Sequence, residues 1–203
     1  EISLKIKSSN PLVISRLLKT GGPRARLAKL WFESVYKRKK LLTETKSKLN
    51  EAVNIVKNHP TEKIMIFSET IESIDKISET LKKNNIPSQV IHNKVKTKER
   101  QEILNVWGQN FFILLSVHTL EIGFDIPSVG IAIIVSNTKN INQLIQRIGR
   151  VIRKTDEKSQ SLIYVIYVDD TKDKDILNLV RTSLQSNHIN KKPINQDKIS
   201  SYF

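Results

Sequence analysis

The sequence predicts an α/β fold, a parallel sheet covered by helices on both faces and preceded by basic helices. Three observations predict it. Five short runs, KIMIF (63–67), SQVIH (88–92), FFILLSV (111–117), GIAIIVS (130–136) and SLIYVIYV (161–168), have the length and the β-branched or aromatic content of buried strands. Between them, segments 71–83, 98–107 and 140–154 repeat apolar residues at helical spacing, and another follows from 173 to about 184. The runs are nearly continuous in apolar residues rather than alternating, as strands covered on both faces require. Strand alternating with helix implies parallel pairing through right-handed crossovers, and such sheets gather their ligand-binding residues at the carboxyl ends of the strands.

The elements before and after the sheet follow from simpler signals. Residues 24 to about 57 read as one or two basic helices, with Leu27, Leu30, Trp31 and Val35 as an apolar stripe, and Gly21-Gly22-Pro23 as a breaker or hinge before them. Downstream, SNHINKKPINQDK is polar and reads as flexible, and it ends in ISSYF, an unusual place for two aromatic residues. The chain therefore divides into a basic helical element over 1–57 (thumb-like or a linker), an α/β domain over 58–190 and a tail over 191–203. A length of 203 residues suits that plan: one α/β domain with an appendage.

Composition narrows the function classes. There is no cysteine, which excludes a disulfide framework, a thiolate metal site and a cysteine nucleophile. No apolar run approaches the length of a membrane span, and EISLKIKSSN lacks the apolar centre of a signal peptide, so a membrane partner is not expected. The net charge of +14 is uneven: residues 1–50 hold 13 Lys/Arg against 3 Asp/Glu, a net of +10, and the remainder holds 21 against 17, a net of +4. A basic block beside a nearly balanced body is the footprint of a polyanion partner; a solvated lysine-rich helix is the plainer alternative.

The most specific stretch is QLIQRIGRVIR, residues 143–153. On a helical wheel Gln143, Gln146, Arg147, Arg150 and Lys154 share one face with Arg153 at its margin, and Ile141, Leu144, Ile145, Ile148, Val151 and Ile152 cover the other side. The apolar side would dock on the sheet and the arginines would point away from it. An ordinary solvated face mixes Glu with Lys, whereas this one has no acid until Asp156. Arginine's planar fork suits phosphate oxygens, and Gly149, at about 1 kcal/mol of helix stability relative to alanine, would let a phosphate or another backbone come close. The face reads as a triphosphate contact. Upstream, Gly123, Asp125 and Pro127 follow a buried strand, so Asp125 stands at the ligand edge and could take the hydroxyls of a ribose; an Asp-x-Pro turn is also simply a turn.

Together these stretches resemble the C-terminal RecA-like domain of superfamily 2 helicases and translocases. KIMIFSET (63–70) is similar to motif IV, IGFDIP (122–127) to motif V and QRIGRVIR (146–153) to motif VI, while HNKVKTKERQEIL (92–104) resembles the segment after the second strand, with Arg100 at its usual arginine. The order and spacing match over about 60–170, and QRIGRVIRK with the basic helices is most similar to the XPB-like, archaeal branch. The resemblance implies that Arg150 and Arg153 act as arginine fingers, that Gln146 stands near the γ-phosphate or its water, and that Gly123, Asp125 and Arg147 meet the nucleotide. It implies nucleic-acid contacts at Phe67, Ser68, Glu69, His92, Asn93, Arg100, Ser116 and Thr119. Where that family often has threonine six residues before the motif V glycine, this chain has Val117, which leaves Ser116 or Thr119 to supply the hydroxyl.

The chain carries neither a G-x-x-x-x-G-K-[ST] loop nor a strand-end Asp-Glu pair for Mg²⁺. ATP with Mg²⁺ is therefore expected to be held mainly by a separate N-terminal RecA-like domain of the same protein, and the fragment alone is expected to be inactive; no metal ligand is assigned here. The last eight residues, QDKISSYF, resemble the peptide that binds the PCNA sliding clamp, with Gln196, Ile199, Tyr202 and Phe203 as its anchors; packing of Tyr202 and Phe203 back on their own domain is the alternative. The expectation is the second motor domain of an ATP-dependent, XPB-like DNA helicase or translocase (an ATP hydrolase). It would act on single- or double-stranded DNA in repair or replication, in an archaeal, cytoplasmic and nucleoid-associated setting. A non-catalytic RecA-like adapter for nucleic acid and the clamp, and the motor half of an RNA helicase or a restriction or nuclease assembly, are the alternatives.

Overall fold

The computed structural model describes residues 10–117, 129–136 and 162–186, the side chains of 183–186 excepted. Two compact units divide between Leu42 and Thr43. In the first, α1 (Pro11–Leu17) starts on Asn10, whose side chain accepts from the Leu12 N–H at 2.9 Å, with Pro11 in the first turn where a missing N–H costs nothing. Gly21 and Gly22 both hold left-handed φ, 71° and 66°, which side chains with a Cβ rarely adopt, and the chain turns there into α2 (Gly22–Thr43). The basic stretch expected from 24 to about 57 forms two helices, α2 and α3 (Lys46–Asn58).

The second unit is built on a five-stranded parallel sheet: β1 (Ile64–Ser68), β2 (Ser88–Ile91), β3 (Ile113–Val117), β4 (Ile131–Ile134) and β5 (Leu162–Val165), in the order β2-β3-β1-β4-β5. Each of the five apolar runs thus forms a strand. Between them lie α4 (Ile71–Lys83) and α5 (Thr97–Val106), and a short 3₁₀ turn (Lys172–Lys174) leads into α6 (Asp175–Ser186). The segment 140–154 lies outside the described residues.

Both faces of the three inner strands β3, β1 and β4 are buried, which explains their continuous apolar runs, while the edge strands β2 and β5 are partly exposed. Ile64 and Ile66 point to one face, where Leu49, Val53 and Val56 of α3 and Ile74, Ile77 and Leu81 of α4 cover them. Met65 and Phe67 point to the other, against Leu104 of α5 and Ile176 and Val180 of α6. A fully buried side chain such as Ile77 contributes roughly 1.5–3 kcal/mol relative to leaving it exposed. Helix α4 begins on Thr70, whose hydroxyl accepts from the Ser73 N–H, and stops where Asn85 turns left-handed at φ 58° and the Ile86 N–H reaches back to the Leu81 carbonyl at 3.0 Å.

At the amino edge of the strands, Trp107 donates its indole N–H to the Phe112 carbonyl at 2.9 Å and lies under the Lys63 ammonium, 4.7 Å from the ring centroid. Burial pushes the Lys63 pKa below the ordinary lysine value. Gly108 holds φ at +92°, and a Cβ there would stand 3.0 Å from the Lys63 side chain.

Candidate nucleic-acid interface

Because all five strands run parallel, their carboxyl ends share one edge. The register aligns Ile91, Ser116, Phe67, Ile134 and Val165 in one row across it. Phe67, Ser68, Glu69, His92, Asn93 and Ser116 therefore come together at that edge, as a parallel sheet with crossovers dictates.

Their side chains play different parts. Phe67 is 8% exposed and packs into the core beneath the edge, and Ser116 is fully buried. Ser68 hydrogen-bonds to the Ser73 hydroxyl of α4 and, at 3.2 Å, to Ser136 just past β4. Ser136 accepts the Glu69 N–H at 2.7 Å, which fixes the backbone as it leaves β1. Thr70 donates to Ser73 at 3.0 Å and the Ser73 hydroxyl returns a bond to the Thr70 carbonyl, so the hydroxyls form one satisfied cluster between the ends of β1 and β4. Sequence reasoning named Ser68 but missed Thr70, Ser73 and Ser136. The signal for Thr70 was its place just before an amphipathic run; Ser136 is the first polar residue after IAIIV, a weaker clue.

After β2 the chain is open to solvent. His92 is half-buried and its Nδ1 accepts the Lys94 N–H at 3.2 Å, while Asn93, Lys94, Lys96 and Lys98 are exposed. Arg100, on α5, is 8% exposed and its guanidinium lies on the loop itself: Nε donates to the Val95 carbonyl at 3.0 Å and Nη2 to those of His92 and Asn93 at 3.3 and 3.4 Å.

A buried ion pair secures the far end of the same edge. Lys48 of α3 donates to Asp173 at 2.7 Å, with 2% and 6% of the two side chains exposed. The same carboxylate oxygen accepts the Val168 N–H at 2.9 Å, and Thr171 donates to the Val168 carbonyl at 2.8 Å. Burial pushes the Lys48 pKa below the ordinary lysine value, and the charge and hydrogen bond of Asp173 pull it back up. The sequence offered no signal for Lys48, one lysine among many in the basic stretch.

The hydroxyls of Ser68, Ser73, Ser116 and Ser136 are buried within the edge, and what it presents to solvent is an imidazole, an amide and several ammonium groups. That set suits contacts to a phosphate backbone. Among the described residues no three His, Cys, Asp or Glu side chains come together to hold a metal ion, so Mg²⁺ is not assigned to them. Gly123, Asp125, Gln146, Arg147, Arg150, Arg153 and Thr119, and the tail anchors Gln196, Ile199, Tyr202 and Phe203, lie outside the described residues. No described helix is long and apolar enough to cross a membrane.

Comparisons with known proteins agree with this architecture. The family model of the helicase conserved C-terminal domain matches residues 47–155. UvrABC system protein B of Mycoplasma mycoides is 28% identical over 159 residues, which cover 74% of this chain and 23% of that protein. DNA 3'-5' translocase XPB2 of Sulfurisphaera tokodaii is 28% identical over 130 residues, 64% of this chain and 28% of that protein. The chain thus spans about a quarter of the length of these relatives. Among solved structures, the C-terminal domain of the DEAD-box protein Dbp5 superimposes with a TM-score of 0.58 at 18% identity, covering 72% of this chain and 82% of that one. That likeness identifies the fold: a RecA-like parallel sheet with helices on both faces.

Proposed function

Because the chain belongs to the family of helicase conserved C-terminal domains, we propose that it is the second motor domain of an ATP-dependent, XPB-like DNA helicase or translocase acting in repair or replication. The observation that carries this reading is the single edge of the sheet where the strand ends, their hydroxyl cluster and the basic loop after β2 come together. In the proposal, that edge meets the nucleic-acid backbone through Glu69, His92, Asn93 and Thr119. Phe67, Ser68 and Ser116 support it from within or through their backbone. The basic helices of 1–57 add a sequence-independent grip on phosphates, which makes binding salt-dependent.

Bound ATP with Mg²⁺, held mainly by an N-terminal RecA-like domain, would supply the phosphoryl chemistry. This chain's part is to bring Arg150 and Arg153 to the phosphates when the two domains close, with Gln146 beside them and Gly123, Asp125 and Arg147 toward the nucleotide. Arginine fingers delivered by closure are worth roughly 10³–10⁵ in rate and couple hydrolysis to movement. The tail of 191–203 tethers the motor to the sliding clamp through Gln196, Ile199, Tyr202 and Phe203. The printed name of one relative, a DNA 3'-5' translocase, supports DNA as the nucleic acid, and the setting in this proposal is archaeal and cytoplasmic.

The test is ATP hydrolysis by the full-length protein, with and without DNA, for wild type and Arg150→Ala/Arg153→Ala. DNA-stimulated hydrolysis that falls by orders of magnitude in the variant is expected. Normal hydrolysis by the variant would make those arginines a grip on nucleic acid and the domain an adapter. Clamp binding is read separately: Tyr202→Ala/Phe203→Ala should abolish it and leave the unfolding midpoint unchanged, whereas a lower midpoint would place the two rings on their own domain.

A further inference from the structure

We infer that Arg100 is a positioning residue, whose guanidinium holds the loop after β2 so that Lys94, Lys96 and Lys98 form a rim for nucleic-acid phosphates. The inference rests on the nucleic-acid reading above and changes the part that Arg100 plays in it. An arginine that met phosphate directly would present its fork to solvent. Here the fork is buried and donates to the carbonyls of His92, Asn93 and Val95. Those carbonyls belong to a turn that the backbone closes only partly: the Val95 N–H reaches His92 at 3.1 Å, and α5 begins at Thr97 on a Lys96 cap that makes no side-chain bond.

Three hydrogen bonds from two nitrogens in one rigid plane define the loop's path in a way that a lysine's single point charge cannot. With that path fixed, three exposed lysines stand at alternate positions between the end of β2 and the first turn of α5, and Glu99 is the only acid from 92 to 101. A dense cationic rim on an ordered loop, at the carboxyl edge of a parallel sheet, matches the spaced negative charges of a nucleic-acid strand.

The experiment uses the full-length protein and labelled DNA oligonucleotides, single-stranded and duplex, titrated between about 50 and 200 mM salt, where phosphate contacts are read from the salt slope. Lys94→Ala/Lys96→Ala/Lys98→Ala should flatten the slope by roughly 0.7–0.9 for each phosphate contact removed. Arg100→Lys keeps the net charge yet should flatten it in the same direction, with faster amide hydrogen exchange over 92–96 in the free protein. A direct phosphate contact would instead let Arg100→Lys keep the wild-type slope and the wild-type loop exchange, and that result overturns the inference. So does a wild-type slope in the triple lysine variant, whose changes are on the surface and do not threaten the fold. A wild-type protein that binds neither oligonucleotide overturns the proposed function and this inference together, and binding with unchanged slopes in the variants overturns the inference alone.

Discussion

At the amino edge of the sheet, one turn and one ring close the structure: Trp107 bonds to the Phe112 carbonyl five residues on, Gly108 bonds to Phe111, and Lys63 covers the indole. At the carboxyl edge the closing contacts are polar and distant in sequence. Lys48 pairs with Asp173 across 125 positions, and Ser68 meets Ser136 across 68. The amino edge only has to stay shut. The carboxyl edge must send out exposed loops without letting them wander, and buried polar groups with satisfied partners specify such a path more narrowly than apolar contact does.

Substitutions at the two edges should separate these roles. The largest effect is expected for Lys48→Ala, which leaves Asp173 buried without its cation and should cost about 3–5 kcal/mol of unfolding free energy in a denaturant titration. Ser136→Ala removes the acceptor of the Glu69 N–H and should cost about 1–3 kcal/mol, with amide exchange rising at 69–70 while the amino edge stays protected. At the amino edge, Gly108→Ala forces a Cβ into a left-handed backbone beside Lys63 and should cost about 1–2 kcal/mol without altering the salt slope of DNA binding. The smallest effect belongs to the surface pair of Lys174 and Asp169, both about half exposed, where Lys174→Ala should leave the unfolding midpoint unchanged. If Gly108→Ala changed the salt slope of DNA binding, the division between the edges would fail.

Local physics made most of the fold legible in advance. The five runs became the five strands, and in the three inner ones, β3, β1 and β4, every side chain is buried on one face or the other, while the edge strands β2 and β5 are only partly covered. The helix expected at 71–83 spans Ile71–Lys83, since its stripe and its Thr70 cap act within a few residues. In α3 the lysines drew attention away from Leu49, Ala52, Val53 and Val56, which dock on the sheet. The site was legible only as a location. Phe67, Ser68, His92 and Ser116 were placed correctly at strand ends, but which side chain turns inward depends on partners that the local sequence does not announce. Ser68 turns toward Ser73 and Ser136, and Arg100 turns toward carbonyls because its own loop folds over it.

The most direct measurement for the central claim is amide hydrogen exchange of the full-length protein with and without DNA, compared at the two edges. The account predicts that DNA slows exchange at 69–70 and across 92–96 and leaves 107–112 unchanged. Slowed exchange at 107–112, with the carboxyl-edge loops unaffected, would put the nucleic acid on the opposite edge and contradict it.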